Sequence, residues 1–302
     1  MDQTLDLLLC GGYIGLNAAL NFANRWALGM HGFSFPVCLT AAHMLLNPMF
    51  LAPMMFIVES YRSVHREAIT KSWKPLLVIA AFNGIQITLN NASLVHIELS
   101  MNQVIRATMP LVVALCDCLR GSAPALNRVP VLAAIAVGVM MVVYSSDSKG
   151  SEWLGIALVT ASVSLQAAQM SFAGSLLSMK LDSFQMTFYT SPLAFLTVVG
   201  PAVVVEGSAF SIYVGNHPWV SVSILVGTCM LAVVYNLVLF QTIRRLGSVG
   251  SAVLGNVKIV VLLFMSRLLM GEMGHWTRRH FLGCLLTFGG AAVYSQMKSK
   301  KA

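Results

Sequence analysis

Ten apolar runs of about 17 to 24 residues leave this chain little choice of fold. Each is long enough to cross a bilayer as a helix, which takes about 20 residues. They fall at about residues 5–28, 34–58, 75–96, 99–119, 129–146, 153–177, 184–205, 218–241, 248–270 and 279–296. Composition agrees: 57% of the 302 residues are hydrophobic and 10% are charged, where a soluble domain carries about a quarter charged. The fold class expected is an all-α integral membrane protein of ten transmembrane helices. A soluble bundle of ten helices, each apolar all round, is excluded by the number and length of the runs.

The formal net charge of +8 raises nucleic acid as a partner. The basic residues instead lie mostly in short connections between runs, so the lipid bilayer is the expected partner and nucleic acid is not. With a cytosolic N-terminus, cytosolic segments hold Arg62, Arg66, Lys71, Lys74, Arg120, Arg128, Lys180, Arg244, Arg245, Lys298, Lys300 and Lys301. The opposite side holds only Lys149, Arg278 and Arg279. Cytosolic connections carry the excess of Lys and Arg, so both termini are expected in the cytosol. The opening MDQTLDLLLC lacks the basic start of a signal peptide and is not an Arg/Ser-rich transit peptide, so the first span is expected to stay in the mature protein. Six scattered cysteines without a C-x-x-C pair read as small core residues, with no metal site or cofactor expected.

The chain repeats itself at half its length. Arg106 and Lys258 are 152 residues apart, Gly121 and Gly271 are 150, Gly138 and Gly289 are 151, and Tyr144 and Tyr294 are 150. Five spans per half is an odd number, so the halves, residues 1–150 and 151–302 of one transmembrane domain, must run in opposite senses. Two inverted five-helix repeats are the architecture of alternating-access transporters, which bind substrate near the midplane. Nothing in the sequence forms a catalytic constellation, so no enzyme is expected.

Arg25 and Arg267 lie near span ends and can snorkel to the interface. Arg106 and Lys258 lie about eight residues inside their spans, where a charge costs at least about 2.5 kcal/mol. Carboxylates that could pair with them are scarce. Asp117 is three turns from Arg106, and Glu59, Glu98, Glu206 and Glu272 sit at predicted span ends. Two interior cations make a cavity suited to an external anion, with a phosphorylated solute fitting best; cations capped by carbonyl groups are the structural alternative. Asn102 shares the face of Arg106, four residues away. Asn91 comes close across a tight hairpin around His96 and Glu98. Tyr235 and Asn236 lie in the eighth span, and Asn17, Asn21 and Asn24 form a stripe on the first helix expected to face inward. Asn256, two residues from Lys258, should point elsewhere. Each amide is either a substrate contact or an interhelical hydrogen bond.

At these residues the chain resembles the nucleotide-sugar and triose-phosphate transporter group of the drug/metabolite transporter superfamily. NNASLVHIELSMNQVIRATMP is similar to one signature of that group, VLGNVKIVVLLFMSRLLMGE to its second, and the pair Tyr235-Asn236 also matches. The resemblance implies ten helices, inverted repeats and exchange of phosphorylated solutes. In relatives that carry sugar phosphates, a fourth-span Lys and a ninth-span Lys-Arg pair hold the phosphate. The matching positions here are Arg106, Lys258 and Ile259. Arg for Lys keeps the charge and adds a fork of donors. Ile259 removes the second cation of the pair, and relatives with that pattern are commonly nucleotide-sugar exchangers.

The expected function is therefore an antiporter exchanging a cytosolic nucleotide sugar for a lumenal nucleoside monophosphate, with Arg106 and Lys258 on phosphates and Asn91, Asn102, Tyr235, Asn236 and Asn24 as further substrate contacts. A sugar-phosphate/phosphate antiporter carrying triose phosphate or phosphoenolpyruvate is the alternative. A non-transporting membrane receptor or assembly factor on the same fold is the alternative from another class. The tail MKSKKA places Lys298 and Lys300 in the form of a dilysine retrieval signal, which would be read by a coat protein; a generic basic anchor after the last span is the alternative. Golgi or endoplasmic reticulum is thus expected ahead of the plastid envelope, with a homodimer as a further candidate assembly.

Overall fold

Within a bilayer no water reaches backbone N–H and C=O groups, so each apolar run must satisfy its own, and a helix does so locally. The computed structural model describes residues 2–29, 33–63, 65–93, 96–97, 99–121, 126–143, 153–179, 181–270 and 278–299. Glu98, Tyr144, Lys149, Lys180, Gly271, Glu272, Lys300 and Lys301 lie outside the described residues, as do the side chains of Arg25, Arg66, Asn91, Arg267 and Lys298.

Among the described residues every regular element is a helix. The helices are α1 (Asp2–Gly29), α2 (Pro36–Ile57), α3 (Glu59–Arg62), α4 (His65–Ser93), α5 (Leu99–Arg106), α6 (Met109–Leu119), α7 (Val129–Val143), α8 (Trp153–Met179), α9 (Ser183–Val205), α10 (Gly207–Asn216), α11 (Pro218–Met270) and α12 (Arg278–Ser299). Among the described residues six stretches are long and apolar enough to cross a membrane: Thr4–Asn24, Pro36–Ile57, Asn102–Leu119, Trp153–Leu177, Ser183–Val205 and Pro218–Val261. The eighth and ninth expected spans both fall on the last of these. The fifth expected span falls on the shorter apolar helix Val129–Val142. The third falls on α4, where the amides Asn83, Gln86, Asn90 and Asn91 lower the hydropathy.

Two interruptions differ from the expected pattern. The expected fourth span is not one helix, because Pro110 has no N–H to give the carbonyl of Arg106 and its ring crowds that carbonyl. Helix α5 therefore stops at Arg106 and α6 starts at Met109. In α11 the expected loop shrinks to Gly247, at φ 72° and ψ 172°, a backbone region essentially open only to glycine.

The helices gather into two compact units, each drawn from both halves of the sequence. One comprises Met1–Thr88 with Phe172–Arg245, the other Leu89–Ser171 with Leu246–Ala302. In the first unit α2 packs on α9, and a core of Met55, Leu76, Ile79, Leu177, Met186 and Ile243 is buried beside them. Glu206 follows α9 and caps α2 from a distance: its Oε1 accepts from the Val37 N–H at 3.1 Å and its Oε2 from the Cys38 N–H at 2.8 Å. The carboxylate thereby meets the positive end of the α2 dipole. On α1, Asn17 is buried but Asn21 is exposed and bonds back to the Asn17 side chain at 2.8 Å. The inward stripe is thus divided, because an amide one turn away satisfies Asn21 on its own helix.

In the second unit α7 packs along α12. Their backbones approach so closely that a Cβ on Gly138 would lie 2.8 Å from the Gly283 carbonyl oxygen, the close contact that small residues allow between membrane helices. Val113, Leu132, Ile135, Val159, Val163 and Val253 fill the adjoining core. Asp117 accepts hydrogen bonds from the hydroxyls of Ser171 and Ser248, each at 2.5 Å. Those hydroxyls hold the carboxylate at its own end of α6.

Candidate functional site

The site in the second unit grows from the break in the fourth span. Arg106 is the last residue of α5, where exposed carbonyls give the helix end a partial negative charge that suits a cation. Two neutral oxygens on other helices grip the guanidinium. Nη1 donates to Asn90 Oδ1 at 2.8 Å, and Nη2 donates to Gln166 Oε1 at 2.7 Å. A guanidinium is planar, so two fixed acceptors set its orientation. Amide oxygens solvate its charge without cancelling it.

Asn90 is itself held. The tight connection after α4 closes with the N–H groups of His96 and Ile97 donating to the Ser93 carbonyl at 2.9 and 3.0 Å. Across this hairpin Asn102 Nδ2 donates to Asn90 Oδ1 at 3.2 Å and to Ser93 Oγ at 2.9 Å. Asn102 is 1% exposed, and its donors serve the hairpin. The expected shared face of Asn102 and Arg106 is real in that both converge on one oxygen of Asn90.

Lys258 lies half-buried on α11 in the same unit. Its neighbour Ile259 packs against an apolar cluster of Ala107, Val139, Val142 and Val260. Position 259 is thus partly buried against apolar side chains. Asn256 is 1% exposed and donates to the Ala107 carbonyl at 2.8 Å; it faces the break itself.

The remaining expected residues belong to the first unit. Tyr235 stacks on Tyr13, ring centroids 5.8 Å apart and planes 27° from parallel. Asn236 is half-buried next to it in sequence. The Oδ1 of Asn24 is buried and accepts no hydrogen bond from the described groups. Asn91 falls on α4, with its side chain outside the described residues.

Sequence reasoning missed Asn90, Gln166 and Tyr13. Asn90 stands beside the amide singled out, and Gln166 was visible as one of two amides, with Gln169, in the run LVTASVSLQAAQM. Their pairing with Arg106 was not visible.

A model of the Triose-phosphate Transporter family matches residues 5–295. The chain belongs to that family. A probable sugar phosphate/phosphate translocator of Arabidopsis thaliana is 25% identical to this family member over 301 residues, covering 96% of this chain and 85% of the relative. UDP-uronic acid transporter 1 of the same plant is 25% identical over 300 residues, covering 94% and 92%. A crystal structure of another protein shares the fold, with a TM-score of 0.69 over 98% of both chains at 16% identity. Transport of phosphorylated sugar compounds is thus the common theme of the named relatives, and this Triose-phosphate Transporter family member presents an interior arginine held by the amide oxygens of Asn90 and Gln166 within the signature region.

Proposed function

We propose that this protein exchanges a nucleotide sugar for a nucleoside monophosphate by alternating access, through ten membrane helices arranged as two inverted five-helix repeats. The observation that carries the reading is the grip on Arg106: amide oxygens of Asn90 and Gln166 orient the guanidinium, whose planar fork of donors suits a phosphate. Pairing of α2 with α9 and of α7 with α12 supports the repeat, since these helices occupy matching places in the two halves. Arg106 and Lys258 bind phosphate oxygens. Tyr235, backed by Tyr13, contributes an aromatic surface to the base, and Asn24, Asn91 and Asn236 donate or accept at the sugar and base. Asn102 acts by holding Asn90.

Ile259 favours a nucleotide sugar over a small sugar phosphate, because its place in the apolar cluster leaves one cation where the sugar-phosphate pattern has two. The second reading, sugar-phosphate/phosphate exchange, draws on the name of the translocator relative. The leading reading is of a protein of an internal membrane, Golgi or endoplasmic reticulum ahead of the plastid envelope, with cytosolic termini.

Counterflow in liposomes tests the proposal. Uptake of a labelled nucleotide sugar is expected to require internal nucleoside monophosphate, and Arg106→Ala or Lys258→Ala is expected to abolish it. Uptake that is equally fast into empty liposomes sinks obligatory exchange. Competition by triose phosphate but not by nucleotide sugars selects the second reading. Cellular activity that survives both substitutions points to a receptor or assembly factor.

A further inference from the structure

We infer that Asn256 is a positioning residue for phosphate recognition, acting by capping the carbonyl that the Pro110 break leaves without a helical partner. In an unbroken helix the Ala107 carbonyl would accept from the N–H of Leu111, four residues on. Here the Leu111 N–H turns to the Thr108 carbonyl at 2.9 Å, and the Thr108 N–H to the Ile105 carbonyl at 3.1 Å. The Ala107 carbonyl sits in a residue that is 0% exposed, and Asn256 Nδ2 reaches it at 2.8 Å. A buried carbonyl left without a donor is costly, more so where no water is at hand.

The location gives this hydrogen bond its consequence. Ala107 follows Arg106 directly, and Asn256 precedes Lys258 by two residues, about 3 Å along the α11 axis. One hydrogen bond therefore sets the register between the helix end that carries Arg106 and the helix that carries Lys258. The same proline that breaks the fourth span creates the need for it. Two cations that share one phosphorylated solute need a fixed spacing, since misplacement by about 1 Å can cost about a hundredfold in a preorganised site. Asn256 thus works through Ala107 and does not itself contact substrate. This inference rests on the phosphate reading of Arg106 and Lys258 proposed above.

The test is a double-mutant cycle between Asn256→Leu and Pro110→Ala, read in two ways. Pro110→Ala restores the N–H that the helix lacks and lets Leu111 return to the Ala107 carbonyl, so it removes the need for Asn256. In thermal denaturation of the detergent-solubilised protein, Asn256→Leu is expected to lower Tm in the native background and to change it little beside Pro110→Ala. In liposome counterflow with a labelled nucleotide sugar, Asn256→Leu is expected to raise KM about tenfold while Vmax stays within about twofold, and Pro110→Ala is expected to erase that difference. If Asn256→Leu does not fold, Asn256→Gln keeps the amide donor on a longer arm and should show a smaller KM effect with the same dependence on position 110.

Additive effects in both readouts overturn the inference. Coupling in Tm with an unchanged KM also overturns it, leaving Asn256 a structural residue only. If the wild-type protein exchanges neither nucleotide sugars nor triose phosphate, the proposed function fails, and the Tm cycle alone decides whether the cap exists.

Discussion

Arg106 Nη1 stands 2.8 Å from Asn90 Oδ1, across the hairpin that joins the third and fourth expected spans. The acceptor is an amide, so the contact orients the arginine and leaves its formal charge in place. The same geometry with a carboxylate would be an internal ion pair.

Asn90→Asp tests that distinction with one changed atom. The aspartate is expected to neutralise Arg106 and compete with phosphate, lowering counterflow by at least about tenfold, since hydrogen bonds to charged groups are worth about 1.5–3 kcal/mol. Thermal stability should hold or rise, because a salt bridge replaces a neutral contact. Wild-type exchange rates in folded Asn90→Asp protein would show that Arg106 does not serve the substrate.

Gly283→Ala should destabilise the packing of α7 on α12. Its Cβ would lie 2.5 Å from the Gly138 carbonyl oxygen and 2.7 Å from Val142 Cγ2, and a backbone oxygen cannot swing aside. The expected cost is about 1–3 kcal/mol, seen as a lower Tm in detergent. Gly215→Ala, whose Cβ would meet nothing within 4 Å, is the control that should leave Tm nearly unchanged.

Glu206→Ala removes both side-chain acceptors at the start of α2. Loss of a helix cap costs about 0.5–2 kcal/mol, and loss of the charge at the dipole adds to it. Glu206→Gln keeps one acceptor oxygen, so its melting temperature should fall between those of Ala and wild type. Equal melting temperatures for all three proteins would show that the carboxylate does not anchor α2.

Tyr61, on the short helix α3 outside the spans, titrates late. Burial, then a hydrogen bond to Asp182, then the Asp182 charge push its phenol up to about 12, with Arg244 pulling the other way. Because the folded value is raised above the ordinary 10.0, the neutral phenol's contribution to stability is complete below pH 10. It is lost as the pH rises through about 12. The melting-temperature advantage of wild type over Tyr61→Phe should therefore shrink across that alkaline window. An advantage that stays constant from neutral pH upward would remove Tyr61 as its source.

Local pattern carried much of this protein into view. The apolar runs located the helices because length and hydropathy are properties of contiguous sequence. The four-residue spacing of Asn102 and Arg106 put them on one face because helical phase advances about 100° per residue. Recurrence of a basic residue at Lys258 drew attention to the ninth span by the same local comparison. Pro110 was equally visible, yet its effect depends on which carbonyl it deprives and on what replaces the lost bond.

By itself the sequence determined the helical character of the chain, the family it belongs to and the two cations set inside its oily runs. Only the tertiary structure decided that Arg106 rests on Asn90 and Gln166, the latter 60 residues away, and that Asn256 turns toward Ala107 across 149 residues. It also decided that Ile259 belongs to an apolar cluster and Tyr235 to an aromatic stack. Periodicity reports which way a side chain leaves its own helix. The partner it meets depends on how helices distant in sequence are packed, and in a chain this apolar nearly every face offers the same hydrophobic pattern. A few buried amides break that degeneracy, because each must find a specific oxygen or N–H where water cannot serve.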